Sequence, residues 1–289
     1  MRRYGWLLMM AAAMPALCGA AGCGPNRNYT ASERYERGLV VCLSGAGGMM
    51  GEVDRVREGL ARGGVDHAIE VFRWSRGRVF GDQMDVAENR RKAAQLARRI
   101  ESYQRLHPGR PVHLIGVSAG TGLVVWALED LRPGARATGA VLISSSLDAW
   151  YDLTRAMEKV RGRIYSFHSM ADTVLVLGVT WTGTVDRNGG ISGGLAGFSP
   201  PGDASAHTRA LYEDKLVQFG WHPGEVLLGH LGDHLGATNP TFVKERIAPL
   251  VLGEYDEKKR AEAEKEKQKA APTEKNAPPG AAESWKESP

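Results

Sequence analysis

The 289-residue chain contains only three cysteines, too few for a disulfide-stapled fold. Aromatic residues make up only 7%. Lys and Arg exceed Asp and Glu by only 37 − 33 = 4, spread without a basic run, which gives nucleic-acid binding no support. No apolar run approaches the 20 or so residues that a comfortable membrane-spanning helix needs. With 43% hydrophobic and 24% charged residues, the composition is that of a soluble globular protein.

The ends differ from the middle. Arg2 and Arg3 precede a short apolar run from Trp6 to Leu17, and small residues lead on to Cys23. A charged start, an apolar core and a small-residue exit describe a secretory signal. Ala20-Ala21-Gly22-Cys23 resembles the end of a bacterial lipoprotein signal, with Ala20 where such signals more often carry Leu. The resemblance implies cleavage after residue 22, a lipid anchor on Cys23 and a place in the bacterial cell envelope. Cleavage without lipidation, giving a secreted or periplasmic protein, is the alternative. Residues 23–37 read as a polar tether. Residues 254–289 are Glu/Lys/Ala-rich and then Pro/Ala-rich, without an apolar stripe. They read as a solvated helix fraying into a disordered charged tail. Cys42, in an apolar stretch, reads as core packing.

Residues 38–253 then form one domain in which strand and helix patterns alternate. Leu39-Val40-Val41-Cys42-Leu43 is continuously apolar, as a strand buried on both faces should be, and ends in Ser44-Gly45-Ala46-Gly47-Gly48. Further strands are expected near 68–74, 111–115, 139–143 and 164–167, with Val226-Leu227-Leu228 as candidate for the last. Helical spacing separates them, and Asn239-Pro240 opens a final helix. The alternation predicts a mostly parallel sheet with helices on both faces. Residues 175–206, rich in Gly, Thr and Ser, break it and read as a long loop. Trp181 and Phe198 are the candidates for an apolar pocket wall there.

Gly116-Val117-Ser118-Ala119-Gly120 matches G-x-S-x-G between a strand and a helical pattern. A sharp turn there would strain the Ser, lift its hydroxyl off the sheet edge and set a helix N-terminus beneath a developing oxyanion. A second match, Gly190-Ile191-Ser192-Gly193-Gly194, has neither element around it. In this context residues 38–253 resemble the α/β-hydrolase superfamily, of serine esterases and lipases.

The resemblance implies an α/β-hydrolase fold, and backbone donors to an oxyanion from Ala119 and from Ala46, with Gly47 as alternative. It also implies the chain order Ser, acid, His. Asp172, just past the 164–167 strand, is the acid, with Asp148 as competitor. His234 is the base, in Gly229-His230-Leu231-Gly232-Asp233-His234, with His230 as alternative. His230-x-x-Asp233-His234 also has a zinc-like spacing, but Gly229, Gly232 and Gly236 argue against the helix it would need, so no metal is assigned. The expected reaction is hydrolysis of a small-molecule or lipid ester, or a related acyl bond, through an acyl-enzyme without a cofactor. The membrane is a partner only through the anchor. The other class of function is an inactive hydrolase-fold envelope lipoprotein that binds.

Overall fold

The computed structural model describes residues 28–270 apart from residue 189, and not the side chains of 179–182, 263 and 266–270. The expected signal with Cys18 and Cys23, the far end of the tail and the side chain of Trp181 lie outside the described residues.

Six strands form a single sheet: β1 (Leu39–Leu43), β2 (Ala68–Val71), β3 (Val112–Val117), β4 (Gly139–Ile143), β5 (Ile164–His168) and β6 (Leu216–Gly220). Their order is β2-β1-β3-β4-β5-β6, and every neighbouring pair is parallel. Every residue of β1, β3 and β4 is buried, the pattern of strands covered on both faces.

Side chains alternate across the sheet, so each strand feeds two cores. Leu39, Val41, Leu114 and Leu142 point to one face. They meet α4 (Val86–Leu106), α5 (Gly120–Glu129), α6 (Thr154–Glu158) and α9 (Ala206–Lys215). Val40, Cys42, Ile115 and Val141 point to the other, against α2 (Met50–Arg62) and the segment holding α10 (Pro240–Phe242) and α11 (Ala248–Leu252). α5 is buried along its whole length, which explains why its sequence is apolar all round. Asn239 caps α10, its side chain accepting from Thr241 N–H.

Several expectations are corrected. Val226-Leu227-Leu228 is not a strand but lies in a 3-10 turn, Pro223–Leu228. The last strand is β6, an edge strand whose half-exposed, Gln-containing sequence gives little apolar signal. The 175–206 stretch is not one loop, since α7 (Thr173–Thr182) and α8 (Gly193–Ala196) occupy parts of it. Phe198 is buried in the first core, against Gly193, and does not line the cleft that Ser118 lines.

The expected tether is docked from residue 28 onward. Ile69 N–H donates to Tyr29 O, α1 (Ser32–Tyr35) follows, and Arg34 donates to the Val65 and His67 carbonyls. The tail begins as α12 (Glu254–Ala270). Its first turn is held by Asp256 on Arg163 and Tyr165, and by Tyr255 edge-on to Phe219.

The crossing of β3, β1 and α5 leaves no room for side chains on two glycines. A Cβ on Gly116 would lie 2.8 Å from the Gly120 carbonyl, and one on Gly120 would lie 2.5 Å from Ser44 O. Overpacking against backbone cannot be relieved by a rotamer change. Gly116→Ala is therefore expected to cost about 1–3 kcal/mol. Gly51→Ala, in α2 with open space around it, should be neutral or stabilising by about 0.5–1 kcal/mol. Urea unfolding of the two variants beside the parent chain checks the contrast.

Candidate active site

A parallel sheet brings the C-terminal ends of all its strands to one edge, and the site is built there. Ser118 lies between β3 and α5 with φ 52°, a left-handed conformation that costs a non-glycine residue about 1–3 kcal/mol. Its own N–H is tied to Ile143 O of the neighbouring strand at 2.9 Å. The turn thereby points Ser118 into a cleft with about 720 Å³ of empty space, which His234 also lines.

His234 sits after β6, on a loop with little regular structure of its own. Hydroxyls hold it: Ser144 Oγ donates to His234 O (2.9 Å) and Ser169 Oγ to Gly232 O (2.8 Å). Ser144 itself has φ 48°, so the turn after β4 is strained like that at Ser118. Asp172, just beyond β5, is fully buried. One of its oxygens accepts the Leu175 N–H at the start of α7 (3.0 Å), and the other lies 2.7 Å from His234 Nδ1. A hydrogen bond at Nδ1 leaves Nε2 of a neutral imidazole with its lone pair free to take a proton.

The competing residues are placed elsewhere. Asp148 accepts the Trp150 N–H (2.8 Å), packs on Gly190 and pairs through its backbone with Ser192. Ser192, the serine of the second G-x-S-x-G, is fully buried. His230 stacks edge-on to Phe242 and accepts the Gly232 N–H at Nδ1 (3.2 Å). Burial lowers its pKa, against the opposing pull of Asp233 and Asp172.

The loop after β1 stands against Ser118: a methyl on Gly45 would lie 3.1 Å from Ser118 Cβ and 3.6 Å from its Oγ. Two buried carboxylates, neither of them expected from the sequence, organise this loop. Glu52 accepts the Gly45 N–H (2.9 Å), and Asp82 accepts the Gly47 N–H (3.1 Å). Gly47 is thereby used up as a donor. Among the described residues, no acceptor is bonded to the N–H of Ala46 or of Ala119. The weak signals for the two acids were an acidic residue in the first turn of α2 and one inside α3 (Val79–Met84), among apolar neighbours.

Burial raises the Glu52 pKa, although the Gly45 N–H and His234 pull the other way. At Asp82 burial also works against the charged form. There the Ser75 hydroxyl and the Arg76, Gly47 and Arg78 N–H groups outweigh it and hold the carboxyl below its ordinary value.

The strand order and the turn at Ser118 define the α/β-hydrolase fold. The family described as alpha/beta hydrolase of unknown function (DUF900) matches residues 53–193. No curated protein matches the chain. Among solved structures, Est1E from Butyrivibrio proteoclasticus is similar at 12% identity and TM-score 0.43, over 78% of this chain and 92% of that one. A novel cutinase-like protein from Cryptococcus sp. is similar at 15% identity and TM-score 0.39, over 75% and 95%. A lipase-esterase related protein from Clostridium acetobutylicum is similar at 11% and 0.39, over 73% and 93%.

Asp82→Asn keeps the shape but removes the charged acceptor. It should lose about 1.5–3 kcal/mol at neutral pH, the range for a hydrogen bond to a charged group. A depressed folded pKa contributes stability above the unfolded value, about 3.9, that disappears as pH falls through the folded value. Urea denaturation should therefore show the gap between parent and variant closing in acid.

Proposed function

We propose that the protein is a serine hydrolase cleaving a carboxylic ester or a related acyl bond. The observation that carries this reading is Asp172 lying 2.7 Å from His234 Nδ1, in a cleft that also contains the strained Ser118. Ser118 Oγ attacks the acyl carbonyl as His234 Nε2 takes its proton, and Asp172 stabilises the imidazolium. The carbonyl oxygen becomes an oxyanion held by the Ala46 and Ala119 N–H groups. Collapse breaks the acyl–oxygen bond. His234 returns the proton to the departing alcohol, and Ser118 keeps the acyl group. Water, deprotonated by His234, then repeats the attack, releasing the acid and restoring Ser118.

Met49, Val79, Phe80, Val174 and Leu175 line the cleft, which suits an apolar acyl or alkyl group. The N-terminal pattern supports an envelope lipoprotein anchored through Cys23.

The test is labelling by a fluorophosphonate probe. The parent chain should label, and Ser118→Ala should not. Failure of the folded parent chain to label would point instead to a binding protein with a hydrolase scaffold. On a short-chain aryl ester, His234→Ala and Asp172→Asn should lower kcat by about 10³–10⁴-fold or more. Asp148→Asn should leave kcat near the parent value. Loss of activity in Asp148→Asn with retention in Asp172→Asn would reverse the assignment of the acid.

A further inference from the structure

Among the described residues, fourteen large hydrophobic side chains are exposed. Most of them lie in the connections that leave the C-terminal ends of β1, β2, β4, β5 and β6, the edge of the sheet that holds the cleft. Some, such as Val79 and Val174, line the cleft. Others do not: Met170 is 79% exposed, Leu177 63%, Leu231 64% and Leu227 89%. The cleft needs no apolar surface at these places.

The near bank adds charge. Arg73-Trp74-Ser75-Arg76-Gly77-Arg78-Val79-Phe80 sets three exposed guanidiniums beside two exposed apolar side chains. Among the described residues Arg73 and Arg78 have no carboxylate partner, whereas Arg76 is paired with Asp85. The loop is built rather than slack. Trp74 is buried and donates from Nε1 to Ser44 O (2.9 Å), and the Asp82 carboxylate holds the Arg76 and Arg78 N–H groups. Apolar side chains flanked by exposed guanidiniums on a loop whose backbone is held fit an anionic lipid surface, into which the first insert while Arg73 and Arg78 meet phosphates.

The geometry points to a membrane-docking face: the rim formed by the 73–80 loop, α3 and α7 seats on an anionic phospholipid bilayer, cleft downward. Docking itself does not rest on the hydrolase reading.

Hydrogen exchange of the full chain, read locally, separates docking by the rim from anchoring by the N-terminus. The full chain is compared free, on neutral phosphatidylcholine vesicles and on vesicles also holding phosphatidylglycerol. Amides of α3 and the first turns of α7 should gain protection on the anionic vesicles, while the Leu106 end of α4 does not. Each guanidinium near an anionic surface is worth a factor of about five. Arg73→Gln/Arg78→Gln should therefore lower that rim protection by about 25-fold, and Val79→Ser/Phe80→Ser should lower it on either lipid. Unchanged rim exchange on anionic vesicles would overturn the proposal. So would equal rim protection without lipid in a sample that light scattering shows to be dimeric, since the occupant would then be a second copy. Fluorophosphonate labelling of the same samples reports separately on the hydrolase reading.

Discussion

The site depends on one sharp reversal of the chain, the turn from β3 into α5 at Ser118. The residue at its apex must take a left-handed conformation, and the strands on either side must pass within contact of the helix that follows. Both requirements are met by backbone: Gly116 and Gly120 supply the clearance, and the Ser118 N–H is fixed to Ile143 O. The strain at Ser118 persists because β3 and α5 are buried throughout and cannot relax around it. A strained serine on a mobile turn would lose its aim, whereas here the largest core of the protein holds it.

The surroundings of Ser118 show a division of labour among buried acids. Asp172, Glu52 and Asp82 each accept a backbone N–H at the same edge of the sheet, Asp172 at the start of α7 and the other two in the loop after β1. Glu52 and Asp82 take the N–H groups on either side of Ala46, and Ala46 is left between them. A loop with all its donors satisfied could not hold an anion, and one with all of them free would not keep its shape. Tying down the flanking donors preorganises the remaining one, the condition for electrostatic stabilisation of developing charge. Asp82 also fixes the Arg-rich loop through Arg76 and Arg78, so one carboxylate serves both the floor and the rim of the cleft.

Local patterns carried much of this into the sequence. β1 and β4 are uninterrupted apolar runs because both faces of each are covered, β3 and β5 are mostly apolar with His113, Ser166 and His168 among them, and G-x-S-x-G was informative because it fell between a buried strand and an apolar helix. The Ser, Asp, His order picked out Asp172 and His234, which lie together. What was missed depends on contacts far apart in the chain. β6 is a half-exposed edge strand without a continuous apolar run. α7 reads as a loop because its Gly and Thr residues favour one, and among its described side chains only Leu175 is buried. Residues 28–37 and the start of α12 look polar, yet they dock through contacts that include Arg34 and Asp256, whose partners lie about 30 and 90 residues away. Glu52 and Asp82 resemble ordinary helix-start acids until the β1 loop is folded over them.

The same parallel arrangement that gathers the reactive groups also distributes the surface. Because all six strands run one way, every connection leaves its strand at one edge, and that edge receives Ser118, His234 and most of the exposed apolar side chains. At the opposite edge, where strands begin, α1 and α12 make polar contacts through Arg34 and Asp256. The chain thus has an apolar end and a polar end without any amphipathic helix being needed to create them. Polarity along the strand axis is a property of the topology, and the sequence has only to place apolar residues in the loops after strands.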